Sequence, residues 1–256
     1  MNFFGKSDVG TRDNNEDCFG IYEIGENAAL FVVCDGMGGE SSGEIASRLA
    51  LESFSETVLS ICRLHLKQNR LSLSLREAEL ILSNAAEHAN GIVLDYQQKH
   101  PESAGMGTTL IATIVCDGNT VAWLNLGDSR LYTVDKRDIL QVSKDHSYIQ
   151  YMIDTGELTL EQAKTSPVRN LITRAVGIEK DISPDVDLFE LSDAERSETS
   201  LVLCSDGLSG ALPEEECMGI ANRRDISPAE KVELMIEGAK KHGSTDNITL
   251  ILVELW

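Results

Sequence analysis

The chain of 256 residues is strongly acidic: 42 Asp and Glu residues outnumber 22 Lys and Arg residues, which gives a formal net charge of −20. We expect no nucleic-acid partner, because no basic surplus is available to displace counterions from a phosphate backbone. A hydrophobic content of 42% over this length can form one core, so we expect a single domain over residues 1–256.

The six cysteines show neither a C-x-x-C pair nor the density of a disulfide scaffold. We expect free, mostly buried thiols and therefore a reducing compartment, the cytoplasm. No uncharged apolar run approaches the roughly 20 residues that a membrane span requires, and no secretion signal is recognised at the start of the chain. A membrane partner is not expected.

In the N-terminal half, short apolar runs predict two neighbouring strands, and capping patterns predict two helices. The strands are "CFGIYEIG" and "AALFVVCDG". Ser41 and Ser74 are each followed three residues later by a glutamate, the pattern of a capping box at a helix start. The first helix reaches toward Gln68, and the second keeps a three-four apolar spacing as far as Tyr96.

From Thr109, "TLIATIVCDGNTVAWLNLGDSRLYTV" alternates apolar runs with two tight-turn motifs, which predicts a meander. The chain between His146 and Gly177 is polar and irregular, with a short helix beginning near Thr159. Strands return at "VDLFEL" and "TSLVLCSDG", a last helix begins at Ser227, and "NITLILVEL" closes the sheet. Together these elements predict an α+β fold in which helices cover antiparallel sheets.

Three Asp-Gly pairs follow apolar runs, at Asp35, Asp117 and Asp206, and their contexts differ. A second apolar run starts almost directly after Asp117, which is typical of a hairpin turn. Asp35 is followed by a glycine-rich segment and a helix, and Asp206 by "GLSG" and an acidic helical stretch. We therefore expect Asp35 and Asp206 to project from strand ends into a shared cleft, where hard cations find oxygen ligands.

Asp246, Asp128 and the polar segment around Arg12 are each typical of a turn when taken singly. They belong, however, to an ordered set of short motifs that spans nearly the whole chain. The motifs are Gly10-x-Arg12-x-x-x-Glu16-Asp17, Asp35-Gly36-Met37-Gly38-Gly39, Gly107-Thr108-Thr109, Gly127-Asp128-Ser129-Arg130, Asp145-His146-Ser147, Ser205-Asp206-Gly207 and Asp246-Asn247. This set resembles the metal-dependent type 2C (PPM) serine/threonine protein phosphatases, in particular their bacterial branch.

The resemblance implies two antiparallel β-sheets packed as a sandwich, with helical layers on both outer faces. It implies the hydrolysis of phosphoserine and phosphothreonine on proteins by a hydroxide activated at a binuclear Mg²⁺ or Mn²⁺ centre. The implied catalytic residues are Arg12, which binds the substrate phosphate, and Glu16, which with Asp17 supports the second ion, largely through water. The implied metal ligands are Asp17, Asp35, the carbonyl of Gly36, Asp206 and Asp246, with Asp128 for a third ion. Implied partners are phosphorylated proteins, including a serine/threonine kinase and its substrates.

The chain departs from the family pattern near this centre. Glu40 stands where many bacterial members have a histidine, and Met37 where eukaryotic members have a histidine proposed as general acid, so the proton donor to the leaving group is open. The segment 147–174 resembles the family's flap, with Ser166 in place of a common histidine. His146 matches a family motif, and we expect it to make a structural hydrogen bond.

Three features of the sequence bear on alternatives to this interpretation. Cys217 and Arg223 have the C-x-x-x-x-x-R spacing of a cysteine-based phosphatase, but "MGIAN" between them continues a helical stretch, so we expect a buried thiol. "GMGGESSG" matches neither G-x-G-x-x-G nor a P-loop, which disfavours a nucleotide site. An inactive phosphoprotein-binding module of the same fold is the remaining alternative, although no metal-binding aspartate of the pattern is lost.

Overall fold

The structure is a computed structural model that describes residues 1–25, 28–39, 42–67, 73–163, 166, 168 and 171–256. Within these ranges the strands are β1 (Asn2–Asp8), β2 (Asp17–Gly25), β3 (Ala28–Met37), β4 (Gly107–Thr108), β5 (Leu110–Cys116), β6 (Thr120–Leu126), β7 (Arg130–Val134), β8 (Ile139–Gln141), β9 (Asp185–Glu190), β10 (Ser200–Cys204) and β11 (Ile248–Glu254). The α-helices are α1 (Ser42–Lys67), α2 (Leu75–Lys99), α3 (Tyr148–Asp154), α4 (Leu160–Ala163), α5 (Asp193–Arg196), α6 (Asp206–Ser209), α7 (Glu214–Ala221) and α8 (Pro228–Lys241).

The strands form two antiparallel sheets. Sheet A has the order β1-β11-β10-β7-β8, and sheet B has the order β2-β3-β5-β6-β9, with β4 also paired to β3. Three clusters of buried apolar side chains fill the spaces between the layers. One lies between sheet B and the helices α1 and α2, one between sheet A and the helices α6 to α8, and one between the two sheets. The expected sandwich with helical layers on both outer faces is thereby confirmed.

The sequence of strand β3 is apolar at successive positions and does not alternate between apolar and polar residues, because both faces of the strand are covered. Leu30, Val32 and Cys34 pack into the cluster beneath the helices, whereas Phe31 and Val33 pack into the cluster between the sheets. Successive side chains of a strand point to opposite faces, so a strand covered on both faces needs apolar residues at every position. The same alternation directs the side chain of Asp35, two residues beyond Val33, toward the space between the sheets.

The helix starts predicted from capping patterns agree with the structure where it describes them. The hydroxyl of Ser74 accepts a hydrogen bond from the backbone N–H of Glu77 at 3.3 Å, and the Glu77 carboxylate accepts from the backbone N–H of Ser74 at 3.0 Å. Ser227 caps α8 in the same way. The predicted cap at Ser41 and the helix end near Gln68 lie outside the described residues.

The meander predicted from Thr109 is only half correct. Asp117 adopts φ +51° and forms the hairpin turn between β5 and β6, as expected, with three residues between the paired Cys116 and Thr120. The second turn motif, however, carries the chain from β6 in sheet B to β7 in sheet A. Gly127 at this crossing has φ +121°, and a Cβ there would lie 2.7 Å from the Thr109 side chain, so the motif is a tight passage between sheets.

Strand β1 was not predicted from the sequence, because "NFFGKSD" lacks a sustained apolar alternation. It pairs with β11 from Asn2↔Glu254 to Asp8↔Ile248, so its partner lies at the other end of the chain. All six cysteines are free thiols and five are buried, which confirms the prediction of unpaired cysteines. No helix in the described ranges is both long and apolar enough to cross a membrane.

Candidate functional site

The candidate site residues lie at one end of the sandwich, where the chain passes between the sheets. Asp17 and Asp35 are paired residues on neighbouring strands of sheet B, and Asp128 lies in the passage from β6 to β7. Asp206 begins α6 directly after β10, and Asp246 stands two residues before β11. Both sheets therefore contribute carboxylates to the same end of the molecule.

One expectation about Asp35 needs correction: it is not the last residue of its strand. Strand β3 continues to Met37, because Gly36 and Met37 pair with β4 after the pairing with β5 ends at Val33↔Ile111. The strand thus changes its neighbour at Asp35 instead of ending there. The carboxylate is consequently held by extended backbone on both sides.

The electrostatics show that these carboxyl groups influence one another. Burial raises the pKa of Asp35 well above its usual range, and the charges of Asp17, Asp206, Asp128 and Asp246 raise it further. Burial raises the pKa of Asp17 to about 6, although hydrogen bonds such as the one from the Ser205 hydroxyl at 2.8 Å oppose the rise. Burial is thus the larger cause of these raised pKa values, and the charges of neighbouring carboxylates add to it.

Asp128 and Asp206 belong to the same electrostatic group. Burial raises the pKa of Asp128 to about 7, with the charges of Asp206 and Asp145 adding to the effect. Burial also raises the pKa of Asp206, chiefly with the charge of Asp246, while Arg130 and Arg12 oppose the shift. A buried cluster of acceptor-only carboxylates is the donor set that hard divalent cations prefer.

The donor chemistry therefore fits Mg²⁺ or Mn²⁺, but the side chains are not preset around an ion. Among the described residues, no three carboxylate, imidazole or thiol groups form a ready-made metal-binding cluster. Asp246 instead accepts a hydrogen bond from Nη2 of Arg12 at 2.7 Å, and Asn247 N–H donates to its other oxygen at 2.9 Å. A cation bound by Asp246 would compete with the Arg12 contact for the same carboxylate.

Asn247, quoted in the sequence motif without a role, fixes the segment that carries Arg12 and Glu16. Its side-chain amide donates to the carbonyl oxygens of Val9 and Asn14, each at 2.9 Å, and its side-chain oxygen accepts from Glu16 N–H at 2.8 Å. These contacts join residues more than 230 positions apart in sequence. The Asp-Asn pair thus places one proposed ligand and anchors the neighbouring loop.

Thr109, another motif residue without an assigned role, holds the backbone of Asp35. Its hydroxyl accepts from Asp35 N–H at 2.9 Å and shares a 2.7 Å hydrogen bond with the hydroxyl of Ser129, next to Asp128. The neighbouring Thr108 donates its hydroxyl to the Asp35 carbonyl oxygen at 2.9 Å. The Gly-Thr-Thr motif therefore links two of the carboxylate-bearing segments.

Gly36 is required by its packing. Its N–H donates to the carbonyl oxygen of Glu16 at 3.1 Å, and a side chain at this position would overlap the carbonyl oxygens of Glu16 and Gly43. The Glu16 carboxylate in turn lies against Gly43 at the start of α1, and burial raises the pKa of Glu16. Close backbone approach at Gly36 therefore positions Glu16 beside the other carboxylates.

Arg130 and His146 stabilise the passage that carries Asp128. Nε and Nη2 of Arg130 donate to the two carboxylate oxygens of Asp145 at 2.9 and 2.7 Å, a bidentate pair that is largely buried. Nδ1 of His146 accepts from Gly127 N–H at 3.3 Å, and its Nε2 lies 3.1 Å from Asp185. The expected structural role of His146 is confirmed by these contacts.

The structure also tests the cysteine alternative. Cys217 is buried on α7, and burial raises the pKa of its thiol to about 12, so it is protonated at neutral pH. Arg223 pairs with Asp225 on the surface. A thiolate nucleophile with an adjacent phosphate-binding arginine is therefore excluded at this pair.

Other expectations rest on segments that are only partly described. Glu40 lies outside the described residues, as do five residues of the expected flap at 147–174. In the remainder of that segment, α3 and α4 occur, and Thr159 caps α4 by exchanging hydrogen bonds with Gln162. Helix α3 was not predicted, and the function of the segment as a flap stays a prediction.

Comparisons with known proteins agree with this arrangement. Residues 4–241 match the family model described as protein phosphatase 2C. The serine/threonine phosphatase stp of Listeria monocytogenes serotype 4b is 34% identical over 246 residues, which cover 95% of this chain and 91% of that protein.

Solved structures give the same result. A bacterial serine phosphatase superposes with a TM-score of 0.87 at 32% identity, covering 100% of this chain and 98% of the other. The catalytic domain of the serine/threonine protein phosphatase PstP, in complex with two manganese ions, gives a TM-score of 0.79 at 29% identity, with coverages of 99% and 97%.

Proposed function

The chain belongs to the bacterial protein phosphatase 2C family and is a protein serine/threonine phosphatase, and we propose that it acts through two Mg²⁺ or Mn²⁺ ions held by its clustered carboxylates. The observation that carries this proposal is the convergence of Asp17, Asp35, Asp128, Asp206 and Asp246, from both sheets, at one end of the sandwich. Support also comes from the manganese complex of the related PstP catalytic domain.

The proposed ligands come from segments of both sheets. Asp35 and the Gly36 carbonyl would hold the ions from sheet B, and Asp206 with Asp246 would hold them from the sheet A side. Asp17 would support the second ion together with Glu16. When bound, the ions would lower the pKa of coordinated water and neutralise charge on the phosphate, which is the chemistry needed for direct hydrolysis.

Arg12 is the proposed phosphate ligand. Its side chain is 56% exposed and its guanidinium contacts Asp246, so Arg12 lies at the edge of the carboxylate cluster rather than inside it. A guanidinium can donate to two phosphate oxygens at once, which orients the ester and offsets its charge. We therefore assign substrate positioning to Arg12.

Asp128 is proposed to hold a third ion. It is 8% exposed, and Arg130 with its partner Asp145 fixes the backbone immediately after it. The proposed substrates are phosphorylated proteins, including a serine/threonine kinase and the proteins that the kinase modifies. The formal charge of −20 agrees with partners other than nucleic acid.

The proposal is tested by hydrolysis of 4-nitrophenyl phosphate and of a phosphothreonine peptide, with Mn²⁺ and with a chelator. We expect turnover that depends on the metal and falls at least about 100-fold in Asp206→Asn, because loss of a direct ligand should exceed the 10- to 100-fold cost of losing an outer-shell partner. Asp117→Asn is the matched control, since Asp117 precedes a glycine in the same way but forms only a turn.

Metal-independent turnover, or an Asp206→Asn variant as active as the parent, would contradict the metal mechanism. A large loss in Asp117→Asn would show that the assignment of Asp117 to a simple turn is wrong. The alternative of an inactive binding module is not favoured, because the named relatives are phosphatases and no expected metal ligand is replaced.

A further inference from the structure

A cavity of about 220 Å³ opens beside the proposed metal site. Its apolar lining includes Met37, Leu126, Ala175, Ile178 and Ile182. A cavity of about 150 Å³ is large enough to take a benzene ring, so this one has room for a large apolar side chain. Nothing in the proposed hydrolysis itself requires such a space.

The cavity lies within reach of a peptide bound at the carboxylates. Met37, which lines the cavity, stands two residues after Asp35 in β3. Side chains two apart on a strand share a face and are separated by about 7 Å. An extended substrate has the same spacing, so a phosphorylated residue near Asp35 brings the residue two positions away to the cavity.

Helix α2 holds the far wall of the cavity in place. Asn90 accepts from Gly177 N–H at 2.7 Å and donates to the carbonyl oxygens of Glu179 and Lys180 at 2.8 and 3.1 Å. Gln97 donates to the carbonyl oxygen of Gly177 at 2.6 Å. The wall is therefore formed before a substrate binds, which lowers the entropic cost of recognition.

The rim of the cavity is acidic. Nη1 of Arg174 contacts Asp185 and the carbonyl oxygen of Ser183, each at 3.3 Å, so its charge is already compensated. Glu179 and Asp181 are exposed, and within the described ranges neither has a cation at ion-pairing distance. An apolar floor with uncompensated carboxylates at the edge fits a peptide that carries an apolar residue next to a basic one.

We propose that this cavity is a specificity pocket for an apolar side chain two positions from the phosphorylated residue of the substrate, with Glu179 and Asp181 favouring a neighbouring Lys or Arg. The inference rests on the proposed function, because it needs a phosphorylated residue bound near Asp35. It adds a sequence preference that the hydrolytic centre alone does not provide. An aryl phosphate carries no residue two positions away, so its hydrolysis reports on the metal site and not on the sequence preference.

The test uses phosphothreonine peptides that carry Leu, Ala or Asp two residues before or two residues after the phosphothreonine. At one of these positions we expect kcat/KM for Leu to exceed that for Ala by about tenfold, the lower range for an apolar group in a fitted pocket. Ile178→Asp should abolish the preference without changing hydrolysis of 4-nitrophenyl phosphate. Leu80→Asp is the matched control, because Leu80 is exposed on α2 and does not line the cavity.

Ile178→Ala gives the same comparison if Ile178→Asp does not fold, with a smaller expected loss of preference. With peptides that carry Lys or Gln next to that Leu, the double variant Glu179→Gln with Asp181→Asn should reduce the preference for Lys and keep the preference for Leu. Equal kcat/KM across the peptides, or a preference that persists in Ile178→Asp, would contradict the proposed specificity pocket. If the protein still hydrolyses the aryl phosphate, that result would leave the proposed metal site unaffected. If the parent protein hydrolysed neither the peptides nor the aryl phosphate, the proposed function itself would be contradicted.

Discussion

Arg12 and Asp246 form an ion pair in which Nη2 lies 2.7 Å from Oδ2. The proposed phosphate ligand and a proposed metal ligand thus satisfy each other, and both side chains are partly exposed. Solvent-exposed pairs of this kind contribute about 0–1 kcal/mol, so the contact can exchange for stronger ones. On binding of substrate and metal, Arg12 would contact the substrate phosphate and Asp246 would serve as a metal ligand.

The first prediction follows from this exchange. Arg12→Ala should raise KM for a phosphothreonine peptide at least about tenfold, because charge-assisted hydrogen bonds of about 1.5–3 kcal/mol to the phosphate are lost. The Mn²⁺ concentration for half-maximal activity should stay equal or fall, since Asp246 loses a competing cation. Steady-state kinetics at varied peptide and Mn²⁺ measure both quantities.

Arg223→Ala is the matched control for Arg12→Ala. Arg223 also pairs with a carboxylate, that of Asp225, on the exposed surface, but it lies after α7, outside the proposed site. Its removal should leave both constants unchanged. An unchanged KM in Arg12→Ala would remove Arg12 from the phosphate site.

The second prediction compares two threonine hydroxyls: that of Thr109, just before β5, which contacts Asp35, and that of Thr113, within β5, which has no described partner. Thr109→Val removes the acceptor for Asp35 N–H and the bond to Ser129, so we expect turnover to fall about 10- to 100-fold, the usual cost of losing a residue that orients a metal ligand. In Thr113→Val the deleted hydroxyl is buried without a hydrogen-bond partner among the described residues. That variant should retain activity and match or exceed the parent in melting temperature.

Turnover of the two purified variants, together with their thermal unfolding, provides the measurement. Equal turnover in Thr109→Val and Thr113→Val would show that the Thr109 contacts do not position Asp35.

The third prediction concerns Asn247, whose amide group satisfies two carbonyl oxygens and one N–H of the loop that carries Arg12. Asn247→Ala should lower kcat/KM about 10- to 100-fold through misplacement of that loop. It should also lower the free energy of unfolding by about 1–3 kcal/mol, because backbone groups lose their partners. Denaturant unfolding and phosphatase kinetics measure the two effects.

A control variant that loses a similar amount of stability distinguishes the effect on activity from the effect on stability. Asn222 donates to the carbonyl oxygens of Asp135 and Met218 at 2.6 and 3.1 Å, at the C-terminal end of α7 and away from the carboxylates. Asn222→Ala should lose stability but keep kcat/KM. If both variants lose activity in proportion to stability, Asn247 has only a structural role.

The contacts of Asn247 also show where sequence reasoning stops. Strand-end context predicted Asp35 and Asp206 as site residues, and the order of the motifs added Asp246, because short motifs in a fixed order carry information that single turns do not. Asn247 and Thr109 stood inside these motifs, but their partners lie 231 and 74 positions away in the chain. Such contacts depend on how strands meet, which local patterns do not encode.

The dependence on contacts between distant segments also explains where the predicted fold differs from the observed one. Helices with their own caps were predictable, since Ser74 and Ser227 act within one turn of the residues they cap. The crossing at Gly127 resembled a hairpin because its glycine and aspartate are also hairpin residues. Strand β1 and the continuation of β3 past Asp35 depend on partner strands, β11 and β4, that lie far along the sequence.

The last prediction is that metal binding strengthens with pH. Asp17 and Asp128, with pKa values raised to about 6 and about 7 in the metal-free protein, hold protons that a cation must displace. The apparent affinity for Mn²⁺ should therefore rise from pH 5 to pH 8, with proton release. Calorimetric titrations in buffers of different ionisation enthalpy measure both.

Stability of the metal-free protein should change in the opposite direction. Unfolded aspartates titrate near 3.9, so between about pH 4 and pH 7 the folded state binds more protons than the unfolded state. The free energy of unfolding should accordingly fall as pH rises through this range. Saturating Mn²⁺ should remove that decline, because it replaces the protons in the folded state. An affinity for Mn²⁺ that is independent of pH from 5 to 8 would show that these carboxyl groups are not the ligands.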